Sequence, residues 1–358
     1  MRPQKISERL EEVLFLTRTN PTSYPVRIWQ FLHGSRLVAV LSVATVIVSF
    51  GSSLHYGTDL NELEVLFFFC AALCLYAEAM DFWTTKRRRL ETVTIGLIEV
   101  AKAIERVSSP ELLLKMEKTA HTSKLIVISY SIDCFLILVL FMVYPLQHGN
   151  LALDIPYLSH DKHVYYVLWG LEEVLLAVGA LVYCSSLTYF IEVSMLLSCL
   201  YDILSANFEE DKVSSCIRIH QSLVDVSLMF QAVLSRSLST FAWCSTPLII
   251  EITCLVLLSE NPEPMFIVAL GTCFVAYYGA CVLSDLVAVS YESVATGIYR
   301  SGWTERNPLT QRDLFLVILV SQKTLSWKAG IIGKLKKGHF TTVINRWYQS
   351  VHALLSLN

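Results

Sequence analysis

The stretch Met265–Ser284, MFIVALGTCFVAYYGACVLS, contains no charged side chain. A helix of this length is long enough to cross the hydrocarbon core of a bilayer, which is about 30 Å thick. The segment Leu37–Leu54 also lacks charge over a similar length. The whole chain of 358 residues is 54% hydrophobic and only 16% charged, which is too apolar for a soluble domain of this size. The sequence therefore predicts an all-α membrane protein.

Seven apolar segments are predicted to form membrane-spanning helices. They are Leu37–Leu54, Leu63–Met80, Leu125–Leu146, Val164–Ile191, Leu238–Leu258, Met265–Val289 and a weaker final one, His339–Leu357. If residue 1 is cytoplasmic, only Lys162 of the 28 Lys and Arg residues falls in an outer connection. Because cytoplasmic loops are enriched in Lys and Arg, we expect a cytoplasmic N-terminus and an extracellular C-terminus. A G-protein-coupled receptor has the opposite orientation.

The inner connections have helical patterns of their own. Apolar residues recur at helical spacing in two of these connections. The first stripe is Leu90, Val93, Leu97, Ala101 and Ile104. The second stripe includes one histidine and is Val213, Ile217, His220, Val224 and Leu228. Ser109-Pro110-Glu111 reads as an N-cap, a first-position proline and a first-turn acid that restart a helix. Leu314–Val320 is apolar but too short to cross a bilayer. We therefore expect helices two to six to project past the inner membrane face into an assembly, or anchor, region.

These patterns divide the chain into four parts. Residues 1–36 form a cytoplasmic N-terminal segment, and residues 37–300 contain transmembrane helices one to six. Residues 301–338 form a cytoplasmic anchor segment that includes the short apolar helix. Residues 339–358 form the last helix.

Several functions lack support in the sequence. The ten cysteines avoid the three outer connections, so no extracellular disulfide framework is expected. The histidines of the long second outer connection, which is a candidate lid, have no paired spacing for a metal; they are His148, His160 and His163. Phosphate loops and hydrolase motifs are absent, so we expect no enzyme and no cofactor. No basic surface remains for nucleic acid once the inner cations are assigned to the membrane.

The C-terminal region resembles that of the insect odorant receptors. The motifs that carry the resemblance are SYESVATGIYRSGW at Ser290–Trp303, Arg312-Asp313-Leu314, SQKTL at Ser321–Leu325, Lys328-Ala329-Gly330, WYQS at Trp347–Ser350 and Ala353-Leu354-Leu355. They cover about a fifth of the chain, and its character is similar to that of dipteran, mosquito-like members. The orientation inferred from the charges is also that of the family.

The resemblance implies an odour-gated, non-selective cation channel in the plasma membrane of an olfactory sensory neuron dendrite. It implies a tetramer whose pore is lined by the last helix, assembly with the odorant receptor co-receptor, and a small volatile ligand. The second inner connection is too short for the co-receptor itself. The alternatives are a gustatory receptor of the same fold, a G-protein-coupled receptor and a transporter.

The terminal helix is the candidate pore. A continuous polar stripe runs along it through Thr342, Asn345, Gln349, His352 and Ser356. In a bilayer such a stripe must face water or polar partners. The resemblance implies a hydrophobic gate: one alignment puts Val351 there and the other puts His352 there, with Leu355 nearby. Three lysines near the inner mouth, Lys334, Lys336 and Lys337, oppose the passage of cations.

The resemblance places the odorant pocket among the outer halves of helices two, three, four and six. A volatile ligand has few polar atoms, so aromatic and apolar side chains with one or two hydrogen-bonding groups are expected. The candidates are Phe67, Phe68, Leu138, Phe141, Met142, Trp169, Glu173, Phe274, Tyr277 and Tyr278. Glu172 is adjacent to Glu173, and either carboxylate is costly within the membrane unless it is paired.

Overall fold

The computed structural model describes residues 5–17, 78–79, 81–148, 162–209, 213–258, 264–323, 325–330 and 333–356. The predicted first span and nearly all of the second lie outside these ranges. Helices dominate the described residues: α1 (Ile6–Thr17), α2 (Arg87–Val107), α3 (Pro110–His148), α4 (Lys162–Glu209), α5 (Val213–Leu258), α6 (Pro264–Arg300), α7 (Pro308–Ser321) and α8 (Lys337–Leu355). A 3-10 turn, Trp303–Glu305, precedes α7, and strands β1 (Lys328–Ala329) and β2 (Gly333–Lys334) precede α8.

The four central helices are longer than a membrane is thick. Helix α4 has 48 residues and α5 has 46, so each extends for about 70 Å. Each can cross a bilayer and still project well beyond it, as the sequence predicted. Two described stretches are long and apolar enough to span, Val182–Phe208 and Ile267–Arg300. The first is mostly buried within the protein, so packing also accounts for its apolar character.

Helix α2 packs along one face, and the predicted apolar stripe of that helix is confirmed. All five of its residues are buried. The hydroxyl of Thr94, on the same face, lies 2.9 Å from that of Tyr189 on α4, so this polar side chain is buried with a partner. The predicted helix restart is also confirmed, because α3 begins at Pro110 with Glu111 in its first turn.

The N-terminal half of α5 is rotated relative to its predicted stripe. Val213 and His220 are buried as expected, but Leu228 is 52% exposed. The buried face instead includes Ser227, whose hydroxyl donates to the carbonyl of Leu223 at 2.6 Å and lies 2.8 Å from the Tyr201 hydroxyl. A serine whose hydroxyl has two hydrogen-bond partners can be buried in the core. Ser227 is therefore buried on the face where the apolar pattern predicted Leu228.

Helices α4 and α6 approach each other closely through small residues. The hydroxyls of Ser198 and Ser290 lie 2.8 Å apart, and Ser205 donates to the carbonyl oxygen of Ser293 at 2.7 Å. One turn further along α6, Gly297 lies directly against the backbone of Ser205. Small side chains allow this approach, and their hydroxyls find partners across the interface.

The amino-terminal helix α1 was not predicted as a helix and is held by both apolar and polar contacts. Ile6 and Leu10 are fully buried, and Ser7 donates from its backbone N–H and its hydroxyl to Glu105 of α2 at 3.0 and 2.9 Å. Arg9 donates from Nε to Glu192 of α4 at 2.8 Å and makes a second, shorter contact with it through Nη2. Helix α1 therefore joins α2 to α4.

Helix α7 follows a sharp reversal of the chain. Gly302 ends α6 in the left-handed region with φ of +62°, which glycine adopts without a Cβ clash. Asn307 caps α7, since its side chain accepts from the backbone N–H of Thr310 at 2.9 Å. Leu314 and Ile318 are buried against the bundle. The short apolar helix predicted between Arg312 and Lys323 is therefore confirmed.

Candidate functional site

Helix α8 packs against α5 and α6 with one face only. Val343 and Val351 are buried and Trp347 is half-buried. The predicted polar stripe lies on the opposite face, where every member is exposed: Thr342, Asn345, Gln349, His352 and Ser356. The chain therefore covers the apolar side of its last helix and leaves the polar side uncovered.

Trp347 ties the middle of α8 to both neighbouring helices. Its indole Nε1 donates to the hydroxyl of Thr253 on α5 at 3.0 Å. Its ring meets Phe274 of α6 edge to face, with centroids 5.4 Å apart. An indole that is held by a hydrogen bond and by a T-shaped ring contact has little freedom to rotate, so Trp347 fixes α8 against both α5 and α6.

A second link joins the start of α8 to α6. The hydroxyl of Tyr277 lies 2.9 Å from Nε2 of His339, and the Tyr277 ring stacks on Phe241 of α5 at 5.8 Å. The adjacent Tyr278 is 48% exposed and lies 5.1 Å from the ring of Phe340. Aromatic side chains from α6 thus contact α8 at both Phe274 and the Tyr277–Tyr278 pair.

The predicted ligand-binding residues are only partly described. Phe67 and Phe68 lie outside the described residues. Leu138, Phe141 and Met142 lie on α3, and Glu172, Glu173 and Trp169 lie on α4. The structure describes the backbone of these six residues but not their side chains. The described candidates, Phe274, Tyr277 and Tyr278, are brought together at the interface of α6 with α8. The composition of the pocket stays a prediction.

The two candidate gate residues differ in burial, since consecutive residues of α8 point in directions about 100° apart. Val351 is 7% exposed, whereas His352 is exposed and its ring is 6.2 Å from that of Tyr348. A pore-facing side chain should be exposed in a single chain, so this arrangement favours His352 over Val351. The side chain of Leu355 is outside the description. The identity of the gate residue stays a prediction.

The polar anchors of α8 were not found by sequence reasoning. Thr253 and His339 carry the hydrogen bonds described above, and Lys337 donates its backbone N–H to Asp285 at 2.8 Å. On α3, Asp133 accepts from the hydroxyl of Thr272 of α6 at 2.7 Å.

Metal and disulfide chemistry find no support in the described part of the chain. No group of three or more His, Cys, Asp or Glu side chains there could hold a metal ion. The cysteines described there are all free thiols. The chemistry of the described site is therefore that of packing, hydrogen bonding and exposed polar side chains.

The long helices and the uncovered polar face define a class of protein, an all-α membrane protein with a polar last helix. A family model described as 7tm odorant receptor matches residues 61–348, which is most of the chain. The chain therefore belongs to the odorant receptor family of transmembrane proteins, which act in olfaction.

Solved structures support the same fold. The chain is similar to the insect olfactory receptor OR5 from Machilis hrabei, with a TM-score of 0.84 and 14% identity over 98% of this chain and 97% of that one. It is also similar to the same receptor in complex with eugenol, with a TM-score of 0.83 and 14% identity over 98% of each chain. At this identity the likeness shows the fold alone. No curated protein sequence matched the chain.

Proposed function

We propose that this chain is the odorant-binding subunit of a ligand-gated, non-selective cation channel that assembles with the odorant receptor co-receptor. The observation that carries the proposal is the exposure of the whole polar stripe of α8. Lipid cannot satisfy the hydrogen-bonding groups of Asn345, Gln349 and His352, so this face must meet water or another subunit. A water-filled pore built from the last helices of several subunits provides both.

The proposed orientation rests on the charges. A cytoplasmic N-terminus puts the basic residues from Lys86 to Lys124, and those around α7, on the inner side. Residues 1–36 and 301–338 are then cytoplasmic, residues 37–300 hold the first six spans, and residues 339–358 line the pore. The inner halves of α3 to α6 form the anchor region. The cell membrane of the sensory dendrite is the proposed location.

The proposed ligand is a small volatile molecule that binds in the outer half of the bundle. The eugenol complex of a receptor with this fold supports a ligand of that size. Phe274 and Tyr277 belong to α6 and contact α8, so a ligand packed against α6 can bias the position of α8. The ligand shifts the channel only by the difference between its affinities for the open and closed states.

Recording odour-evoked currents from cells that express the chain together with the co-receptor tests this function. We expect a cation current that persists when G-protein signalling is blocked and that is absent when either chain is expressed alone. An epitope tag at residue 1 should stain only permeabilised cells. Surface staining of that tag on intact cells, or a current abolished by blocking G proteins, would overturn the proposal.

A further inference from the structure

The hairpin before α8 places two lysines side by side. Strands β1 and β2 pair antiparallel with Lys328 directly opposite Lys334, and both side chains are exposed. Cross-strand neighbours on one face lie about 5 Å apart, where like charges repel. Among the residues that the structure describes, no carboxylate forms an ion pair with either lysine. Asp285 approaches the start of α8, where it accepts from the backbone N–H of Lys337 at 2.8 Å, but it forms no ion pair with either lysine.

Two further cations lie close to this pair. Lys336 follows β2 and is exposed. Gly330, which follows β1, lies against α5, because a Cβ at Gly330 would be 2.7 Å from Oγ of Ser239, one helical turn from Arg236. The Arg236 side chain is 76% exposed, and its Nε is 3.7 Å from Glu78. Glu78 also bonds Lys86 at 3.0 Å, so this one carboxylate serves two cations.

The position of the cluster along the helices indicates the inner membrane boundary. Trp243 lies about 10 Å from Arg236 along the same face of α5 and is 61% exposed. An exposed tryptophan on that face is typical of the interface between lipid and water. The predicted fifth span begins at Leu238, immediately after Arg236. The four cations therefore lie where lipid headgroups are expected.

We propose that Lys328, Lys334, Lys336 and Arg236 bind the headgroup of a phosphoinositide in the inner leaflet. A headgroup with several phosphates supplies the missing counter-charge, and basic clusters at the cytoplasmic end of a span favour anionic lipids. The inference rests on the proposed function for the orientation of the chain. It also deepens that function, because uncompensated lysines directly before α8 repel cations at the inner mouth. The bound phosphates neutralise them, and the lipid becomes a requirement for conduction.

A flotation assay measures the binding separately from channel activity. Purified full-length chain is mixed with vesicles of phosphatidylcholine alone, with added phosphatidylserine, or with added phosphatidylinositol 4,5-bisphosphate. We compare two quadruple variants with equal loss of charge. The site variant carries Arg236→Gln, Lys328→Gln, Lys334→Gln and Lys336→Gln; the control variant carries Arg106→Gln, Lys118→Gln, Arg312→Gln and Lys323→Gln.

The bisphosphate vesicles should retain the native chain and the control variant, and should bind the site variant at least about tenfold more weakly. Equal loss in both variants would show a diffuse charge effect and overturn the site. Soluble inositol trisphosphate separates the two sources of phosphate: competition as strong as that of the lipid would overturn a membrane ligand. Size-exclusion profiles identify any variant that misfolds, and the single variants Lys328→Gln and Lys334→Gln then replace it, each expected to weaken binding several-fold.

A second measurement links the site to conduction. Depletion of the phosphoinositide by a voltage-activated phosphatase should reduce the odour-evoked current of the native chain and of the control variant several-fold, and should leave the site variant unchanged. Equal sensitivity of the two variants contradicts the proposal. If no odour current exists, the proposed function fails, while the flotation result still decides the lipid site.

Discussion

Gly297 of α6 lies so close to Ser205 of α4 that no other residue fits between the two backbones. A Cβ at position 297 would overlap the carbonyl oxygen of Ser205 and lie 2.6 Å from its hydroxyl. The backbone of α4 cannot give way without breaking the neighbouring bond from Ser205 to the carbonyl of Ser293. The contact holds the C-terminal halves of the two helices together.

We expect Gly297→Ala to destabilise the protein by roughly 1–3 kcal/mol, as overpacking of a core does. The matched control is Gly279→Ala on the same helix, where nothing lies within 4 Å of the added methyl group. That change should be neutral or slightly stabilising, because alanine favours a helix. Thermal unfolding of the purified chain measures both. Equal melting temperatures for the two variants would contradict the close approach.

We expect the stability of the folded protein to depend on pH through the side chain of His220. Its side chain is buried, contacts the hydroxyl of Ser321 at 3.2 Å and stacks on the ring of Tyr291. Burial lowers the pKa of His220 to about 4 from the ordinary value of 6.5. Between these values the unfolded chain binds more protons than the folded one, so stability falls as the pH falls from about 6.5 to about 4. The expected loss is about 2 kcal/mol between pH 7.5 and pH 5.

Thermal melting at both pH values checks this, with His220→Gln and His121→Gln compared. Residue 121 is exposed. The first variant should melt with a smaller difference between the two pH values, and the second should behave like the native chain. An unchanged pH difference in His220→Gln would assign the dependence to other groups.

The contact between Arg9 and Glu192 predicts that α1 is essential to stability. The two side chains are 11% and 2% exposed, so loss of one partner leaves a charge buried without compensation. Arg9→Met should cost about 3–5 kcal/mol, and adding Glu192→Met should recover most of it. Lys102→Met breaks an exposed pair with Glu11 and should cost less than about 1 kcal/mol. Chemical unfolding of the purified chain measures the three variants; a double variant as unstable as Arg9→Met would contradict the pairing.

Sequence patterns predicted the buried face of a helix correctly where the buried residues are apolar and most of the exposed ones are polar. The α2 stripe is buried in full because each member is apolar, and the exposed residues on the other face are polar except Ile95. The predicted α5 stripe was wrong at Leu228. Ser227 is buried there instead, because its hydroxyl forms a hydrogen bond with that of Tyr201, which is 26 residues away in the sequence. Helix α1 was missed for a related reason. Its anchors, Glu105 and Glu192, are distant in sequence, and no local pattern identifies them.

The candidate site shows the same division. Periodicity identified the polar face of α8, since all its members lie on one helix. Which residues of α6 meet that helix depends on how both are rotated, and this was not available from the sequence. Phe274 and Tyr277 were chosen as ligand contacts, and the structure adds their partners Trp347 and His339.

The Tyr277–His339 contact should transmit ligand binding to the pore helix. Tyr277→Phe keeps the stacking on Phe241 but removes the hydroxyl. We expect the odorant concentration for half-maximal current to rise about two- to tenfold, the usual worth of one hydrogen bond. Adding His339→Phe should cause little further change, because the two residues share that bond. The exposed Tyr299 gives the control variant Tyr299→Phe, which should shift the curve less than twofold. Fully additive shifts for the double variant would show that the residues act separately.

The face of α8 that lines the pore can be identified by chemical modification. Cysteines at Asn345, Gln349 and His352 should react with a water-soluble, charged methanethiosulfonate reagent during odour stimulation and should reduce the current. Cysteines at the buried positions Val343 and Val351 should not react. The unmodified parent chain with the co-receptor measures the background from native cysteines. Reaction at Val351 without reaction at His352 would show that the pore-lining face of α8 includes Val351 and not His352. That result would favour the valine as the gate, because a side chain buried in one chain would then have to turn toward the axis when subunits assemble.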